Sequence, residues 1–269
     1  MIDFKTITKN SKLYNFHSHS PYCDGHAPIE EFIKEAIKAG FTHYGVSPHS
    51  PIPFYSPCNM AAEKVGEYLA EMDRLKALYG DQINIYTSME IDYLDGWGAS
   101  HPFFQEMPLD YRIGSVHFIK SMVSDEYVDI DGNFENFKQK MARYFNNDIR
   151  YVVKEFFFQS VMMVAKGGFD IIGHCDKIGH NASAFQPGID CEPWYEALVE
   201  TLIDAIMDKG ILVEINTKKW ETDQRFFPHA RFFELLKKYN APLIVNSDAH
   251  HPHLINSGRM EALRMLEEI

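Results

Sequence analysis

Two histidines one residue apart, His17-Ser18-His19, close a short apolar run from Leu13 to Phe16. Alternate side chains of an extended segment share a face, so both imidazoles point the same way, as two ligands of one ion require. A single His-x-His carries little weight, and a lone histidine at a strand end is more often a hydrogen-bonded core residue. The weight lies in repetition. His49 follows Tyr44 to Ser47, Glu90 follows Ile83 to Met89, His117 ends Tyr111 to Val116, and His174 ends Asp170 to Gly173. Asp248 and His250 follow Leu243 to Asn246 in the run Asn246-Ser247-Asp248-Ala249-His250. Unconnected packing choices do not explain metal-competent residues at so many strand ends, and the pattern predicts a metal cluster.

The elements that position these residues follow a recurring order of short β-branched run, polar stretch and amphipathic helix, which reads as βα units. With Ile211 to Ile215 added, the predicted strands number seven. Helices are predicted from Pro28 to Gly40, Ala61 to Tyr79, Tyr151 to Lys166, Pro193 to Gly210, Pro228 to Tyr239 and Arg259 to Glu268, punctuated by proline at starts and glycine at ends. Two stretches, Asp92 to Leu109 and Ile119 to Arg150, interrupt this order as loop insertions after strands 3 and 4. The second contains Asp131-Gly132 between Val128 and Phe134, which predicts a small hairpin turning there. No linker composition divides the chain, so residues 1–269 are expected to form one barrel-like α/β domain, with the candidate ligands at its C-terminal mouth.

Composition narrows the class. Of 269 residues, 45% are apolar and 24% charged, which excludes disorder. No apolar stretch reaches the ~20 residues of a bilayer span. Met1 to Asn10 offers no secretory signal, so a cytoplasmic protein without a membrane partner is expected. Cys23, Cys58, Cys175 and Cys191 form no Cys-x-x-Cys pair and read as free thiols. A net charge of −12 argues against a long nucleic acid as partner.

In order along the chain, His17-x-His19, Asp24-Gly25-His26, Pro48-His49, Glu90, Gly114-Ser115-Val116-His117, Gly173-His174, Glu214-Ile215-Asn216 and Ser247-Asp248-Ala249-His250 resemble the motifs of the polymerase and histidinol phosphatase (PHP) metallohydrolases. The resemblance spans essentially the whole chain and is nearest to the histidinol-phosphate phosphatase branch. It implies a distorted (β/α)7 barrel with three divalent metal ions, zinc, iron or manganese. It also implies ligands: His17, His19, Glu90 and Asp248 for one ion; His49, His250 and an early-loop residue for a second; His117 and His174 for the third, with Glu90 bridging. Asp24 and His26 both stand in the early loop. Asp-Gly, the recurring form in this branch, favours Asp24 and leaves His26 near the substrate.

The activity implied is hydrolysis of a small phosphomonoester, L-histidinol phosphate, in histidine biosynthesis. A water bridging two ions would attack phosphorus in line, Asp248 would handle its proton, and His250 or His26 would protonate the leaving alkoxide. Candidate phosphate donors are Arg225 and Lys218, with Arg112 and Arg143 less well placed, and Asn216 is a candidate for orienting substrate. A substrate ammonium could meet Asp92, Asp95 or Glu106. A phosphodiesterase or exonuclease, or a non-catalytic metal-stabilised module, are the competing functions. The inserted loops hold no Lys/Arg track of the kind an exonuclease needs.

Overall fold

The computed structural model describes residues 2–269. A parallel sheet requires a crossover between neighbouring strands, and the helices of the chain supply it. In the first ladder, β1 (Tyr14–Asn15), β2 (His43–Val46) and β3 (Asn84–Thr87) run parallel, with Tyr14 opposite His43 and Tyr44 opposite Ile85. The second joins β4 (Glu90–Asp92), β5 (Ile113–Ser115), β8 (Ile171–Ile172), β9 (Leu212–Asn216) and β10 (Leu243–Asn246), again all parallel.

Two further pairings join the ladders into a ring. Beyond β2, Ser50 N donates to Glu90 O at 2.8 Å and Glu90 N to Pro48 O at 3.0 Å. Beyond β1, His19 N donates to Ala249 O at 2.9 Å and Ala249 N to His17 O at 3.3 Å. Only Ser88 and Met89 separate β3 from β4, so these two form one bent strand path. The ring therefore has the seven paths expected, with parallel strands throughout. Side chains bridge its weak points. Asn246 Oδ1 accepts from Phe16 N at 2.9 Å and Asn15 Oδ1 from Ser247 N at 2.8 Å, which replaces ladder bonds at the β1/β10 seam.

The helices, among them α3 (Val65–Tyr79) and the short α4 (Pro102–Gln105), pack by pattern. In α2 (Ile29–Lys38), buried Ile29, Phe32, Ile33 and Ala36 recur at helical spacing and face the sheet, and Gly40 ends the turn at φ +77°. In α6 (Ile149–Lys166), the run Phe156-Phe157 is buried while Phe158 points outward, and Gly167 caps the C-terminus by donating to Met163 O. An element absent from the sequence reading is α1 (Phe4–Asn10). Asp3 caps it, and it sets Phe4 against Phe16 and Tyr111 at ring separations of 4.9 and 5.6 Å, filling the ring interior.

The insertion after β5 forms an antiparallel hairpin, β6 (Phe118–Lys120) with β7 (Tyr127–Asp129), followed by α5 (Phe134–Tyr144). Its turn is not at Asp131-Gly132. The Ser121 hydroxyl accepts from Val123 N and Ser124 N at 3.1 and 3.2 Å, and this fixes the reversal between Lys120 and Tyr127. Asp131-Gly132 instead leads from β7 into α5, whose N-cap is Asn133. No helix among the described residues is long and apolar enough to cross a membrane.

Candidate metal centre

The candidate ligands gather at one face of the ring, most of them just past strand ends, with Glu90 inside the bent β3/β4 path and Asp24 in the loop after β1, and they meet in overlapping groups. His17 Nε2 lies 3.2 Å from Glu90 Oε2, His19 Nε2 2.9 Å from Asp248 Oδ1, and these four residues face one another. Asp24 Oδ1 lies 3.3 Å from His250 Nε2, 3.9 Å from His49 Nε2 and 3.6 Å from His19 Nδ1. Glu90 Oε1 lies 2.7 Å from His174 Nε2, which is 3.2 Å from His117 Nε2. Donor atoms about 2.0–2.1 Å from a tetrahedral zinc stand about 3.3 Å from one another. The separations here have that scale.

Unpartnered atoms make the same case. His17 Nε2, His19 Nε2, Asp24 Oδ1, His49 Nδ1 and Glu90 Oε2 are buried without a hydrogen-bond partner and converge on this one region. Orphaned buried polar atoms are costly unless a ligand satisfies them. Nitrogen and carboxylate donors of this kind suit divalent zinc, iron or manganese, so the residues fit metal ions.

The protonation pattern is split. Burial lowers His17, but Glu214, Glu90 and Asp248 outweigh it and hold the imidazole well above its ordinary pKa. His117 is likewise raised to about 9, where Asp92 and Glu90 overcome burial. Burial, with Lys177 adding, lowers His174 to about 4, and burial with His250 and His49 takes His19 well below 6.5. Crowded imidazoles thus share their protons unevenly, and a cation would replace the protons that remain.

Local sequence explains the aim of each side chain. Cys23 N and Gly25 N both donate to Ser20 O, forming a tight turn that directs Asp24 inward. A side chain at Gly25 would strike the Ser20 backbone. The same turn sends His26 outward. It is exposed and stacks on His251 at 4.4 Å, so it neither joins the cluster nor lines the pocket, contrary to its expected place near the substrate. A side chain at Gly173 would meet the Ser115 hydroxyl, which donates to Glu90 Oε1 at 2.7 Å.

Three buried residues support the cluster in roles that the sequence did not assign them. Fully buried Glu214 accepts from His17 Nδ1 at 2.7 Å, Asn246 Nδ2 at 2.9 Å, His174 N at 2.9 Å and Asn216 Nδ2 at 3.0 Å. Its place on β9, two residues before Asn216, was the available signal. Asp92, weighed as a partner for a substrate amine, is buried and holds His117 Nδ1 at 2.7 Å. Asn216, expected to orient substrate, is fully buried behind the cluster and donates to Asp248 Oδ2 at 3.1 Å.

Above the cluster opens a pocket of about 950 Å³, lined on the ring side by Asp24, His49, His117 and His250 and on the far side by the hairpin insertion. Lys218 lines it, 3.4 Å from Asp248 Oδ1 and 3.2 Å from His250 Nε2. Lys177, which the sequence reading passed over, lines it too and pairs with Asp131 at 2.6 Å. Arg225 does not. Its loop folds against β9, and the guanidinium lies 3.1 Å from Asp190 and 3.7 Å from Asp176, so it serves buried acids rather than a phosphate. Arg112 donates to the carbonyls of Phe104 and Met107, while Asp95 and Glu106 are exposed and line no part of the pocket. Burial and Asp24 push the Cys23 thiol up to about 12, which removes it as a nucleophile.

Residues 15–218 match the PHP domain model. The chain belongs to the PHP domain family. Among its relatives, a probable histidinol-phosphatase of Deinococcus radiodurans is 24% identical over 269 residues, covering 96% of this chain and 94% of that protein. Another so named from Schizosaccharomyces pombe is 29% identical over 261 residues, covering 89% of this chain and 81% of that protein. Two solved structures share the fold of this PHP domain. One, assigned as a histidinol phosphatase of Listeria monocytogenes, has a TM-score of 0.80 at 19% identity and covers 92% of this chain and 99% of its own. The other, histidinol phosphate phosphatase of Lactococcus lactis complexed with zinc, L-histidinol and phosphate, has a TM-score of 0.71 at 19% identity and covers 95% of this chain and 92% of its own.

Proposed function

We propose that this PHP domain protein is a metal-dependent phosphomonoesterase that hydrolyses L-histidinol phosphate to L-histidinol and phosphate, a step of histidine biosynthesis carried out in the cytoplasm. The observation that carries the reading is the convergence of orphaned ligand atoms beneath a pocket bearing two lysines. The names of the relatives, and the zinc, L-histidinol and phosphate in the Lactococcus structure, support the substrate. Three ions would be held by His17, His19, Glu90 and Asp248; by Asp24, His49 and His250 with His19; and by Glu90, His117 and His174. We take residues 1–269 as one functional unit, since the β1/β10 seam joins the two ends of the chain.

When bound, divalent ions neutralise phosphoryl charge and acidify a water for attack. The chain does the rest. Lys218 and Lys177 offer ammonium donors to phosphoryl oxygens from two sides of the pocket. Burial raises the Asp248 carboxyl, but Lys218, His17 and His19 outweigh it and hold it well below the usual carboxylate range, so Asp248 stays ionised and offers Oδ1 as a hydrogen-bond acceptor that orients the attacking water. Of the two imidazoles weighed as donors to the leaving alkoxide, His26 lines no part of the pocket and His250 would have its Nε2 taken by the ion beside Asp24, so Lys218, 3.2 Å from His250, is the proton source the pocket offers. The hairpin wall and the net charge of −12 favour a compact monoester over a polymer.

The test combines metal analysis with phosphate release from histidinol phosphate, glycerol phosphate, p-nitrophenyl phosphate and a phosphodiester. The expected result is bound divalent metal, loss of turnover on chelation, and a kcat/KM for histidinol phosphate well above the others. Equal efficiency across the monoesters, or preference for the diester, would overturn the reading.

A further inference from the structure

Beyond the cluster and its lysines, the pocket contains acids that bind no ligand atom of the centre. Asp125 and Glu126 sit exposed in the hairpin turn, and Asp129 at the end of β7 is paired with Lys140 at 2.8 Å. Asp131 is different. It lies two residues past β7 on the connection to α5, and its Oδ2 is 2.6 Å from Nζ of Lys177. Lys177 follows the ligand His174 by three residues, and its side chain is 11% exposed. The Asp131 carboxylate therefore stands at the pocket, one ion pair away from the phosphoryl position, on the side opposite the strand ends.

A substrate with an ammonium on the carbon next to its ester carbon presents a cation a short distance from its phosphate. A phosphoryl oxygen on Lys177 and an ammonium on Asp131 each require a contact of about 2.8–3.0 Å. One vicinal amino-alcohol phosphate can make both, because the two protein groups are themselves adjacent. We propose that Asp131 is the specificity-determining residue for the substrate's ammonium group: phosphate draws Lys177 toward its own charge, and the freed carboxylate accepts the amine. This rests on the histidinol-phosphate reading and deepens it. The reacting atoms need nothing from Asp131, so its effect falls on discrimination among leaving groups. An additional surface supports the placement. Phe54 stacks on Tyr127 at 6.1 Å and 9°, both rings line the same pocket, and they offer the hairpin side a flat apolar wall for the remainder of an aromatic amino alcohol.

The test is Asp131→Asn in the metal-loaded full chain. The readout is the ratio of kcat/KM for histidinol phosphate to that for glycerol phosphate, which carries no amine. A charge-assisted hydrogen bond at a part-exposed site predicts a fall in this ratio of about tenfold. Calorimetric titration gives the second readout: L-histidinol, added in the presence of inorganic phosphate, should bind about tenfold more weakly to Asp131→Asn. Asp131→Glu, which keeps the charge, should recover most of both. A ratio unchanged in Asp131→Asn, with equal losses on both esters, would show that Asp131 only positions Lys177 and would overturn this inference while leaving the histidinol-phosphate reading intact. A parent enzyme with no preference between the two esters would overturn both.

Discussion

Glu214→Gln is the most diagnostic single change, because it removes a charge without removing volume. The carboxylate accepts four hydrogen bonds, and its orientation cannot be exchanged. Asn246 presents Nδ2 to Glu214 because its Oδ1 accepts from Phe16 N, and Asn216 presents Nδ2 because its Oδ1 accepts from Lys218 N. The His174 partner is a main-chain N–H, which can only donate. A glutamine has one oxygen and one NH2 group, so turning the NH2 toward His174 and Asn216 sets donor against donor twice. Turning it toward His17 and Asn246 leaves Asn246 Nδ2 without an acceptor and requires His17 to accept on Nδ1. His17 must then carry its proton on Nε2, the atom aimed at Glu90 and, in the proposed assignment, the one that would hold the ion. At least one buried donor is stranded, at about 1–3 kcal/mol. Taking the middle of that range, unfolding of the metal-free variant should come about 4–8 °C lower in Tm. Metal affinity should fall about 10–100-fold, the usual consequence of losing the acceptor that orients a ligating imidazole. Calorimetric unfolding of chelated protein and competition against a chromophoric chelator measure the two effects. A Glu214→Gln protein with parental Tm and parental metal affinity would refute the reasoning.

Three further outcomes follow from the site. Asp24→Asn should lower bound metal measured by elemental analysis, while His26→Ala should leave occupancy at the parental level; occupancy that falls only in the histidine variant would reverse the two assignments. Metal loading at pH 7.5 should release about two protons, from His17 and His117, since both are held protonated by their carboxylates and ligation needs the neutral ring. Titration calorimetry in buffers of different ionisation enthalpy counts them, and a count of zero contradicts the charge pattern. The accompanying sign is fixed: in the metal-free protein the His117 contribution is full below pH 6.5 and disappears as pH rises through about 9, whereas that of His174 is full above pH 6.5 and disappears as pH falls through about 4. Finally, Arg225→Met should destabilise by about 3–5 kcal/mol by stranding buried Asp176 and Asp190, with kcat/KM of the folded fraction unchanged. A raised KM without loss of stability would return Arg225 to the substrate.

The strands were readable because each is a short apolar run ending in a polar residue, and in a parallel ring those ends gather at one mouth. That single rule located His17, His49, His117, His174 and Asp248 from their positions alone; Glu90, expected just past a strand ending at Met89, instead begins β4 and lies inside the bent path. What it could not locate were partners fixed by tertiary pairing. Glu214 is an alternate residue within a strand, and nothing local marks it as the acceptor for β1 and β8 at once. Arg225 and Lys177 show the converse. The first stood in a promising loop but was captured by Asp176 and Asp190. The second stands one turn past the candidate ligand His174, and nothing local distinguishes it from a surface lysine. The hairpin turn was misplaced because Asp-Gly is a strong local signal, while Ser121 fixes the reversal through its hydroxyl, a weaker one.

The backbone of the site is strained at two of the candidate ligands. His174 at φ +22° and Asp248 at φ +50° occupy a region that non-glycine residues seldom adopt. Such conformations persist only when their surroundings over-determine them. At His174 the determinant is Glu214, which accepts its main-chain N–H. At Asp248 the flanking residues are pinned on both sides, Ser247 N to Asn15 and Ala249 N to His17, while Asn216 links its carboxylate back to Glu214. One buried carboxylate thus ties together residues at the ends of β1, β8 and β10, two of which, β1 and β10, form the seam that closes the ring. The strained backbone at His174 and Asp248 and the closure of the fold are therefore supported by the same hydrogen-bond network, so a change at Glu214 is felt at both.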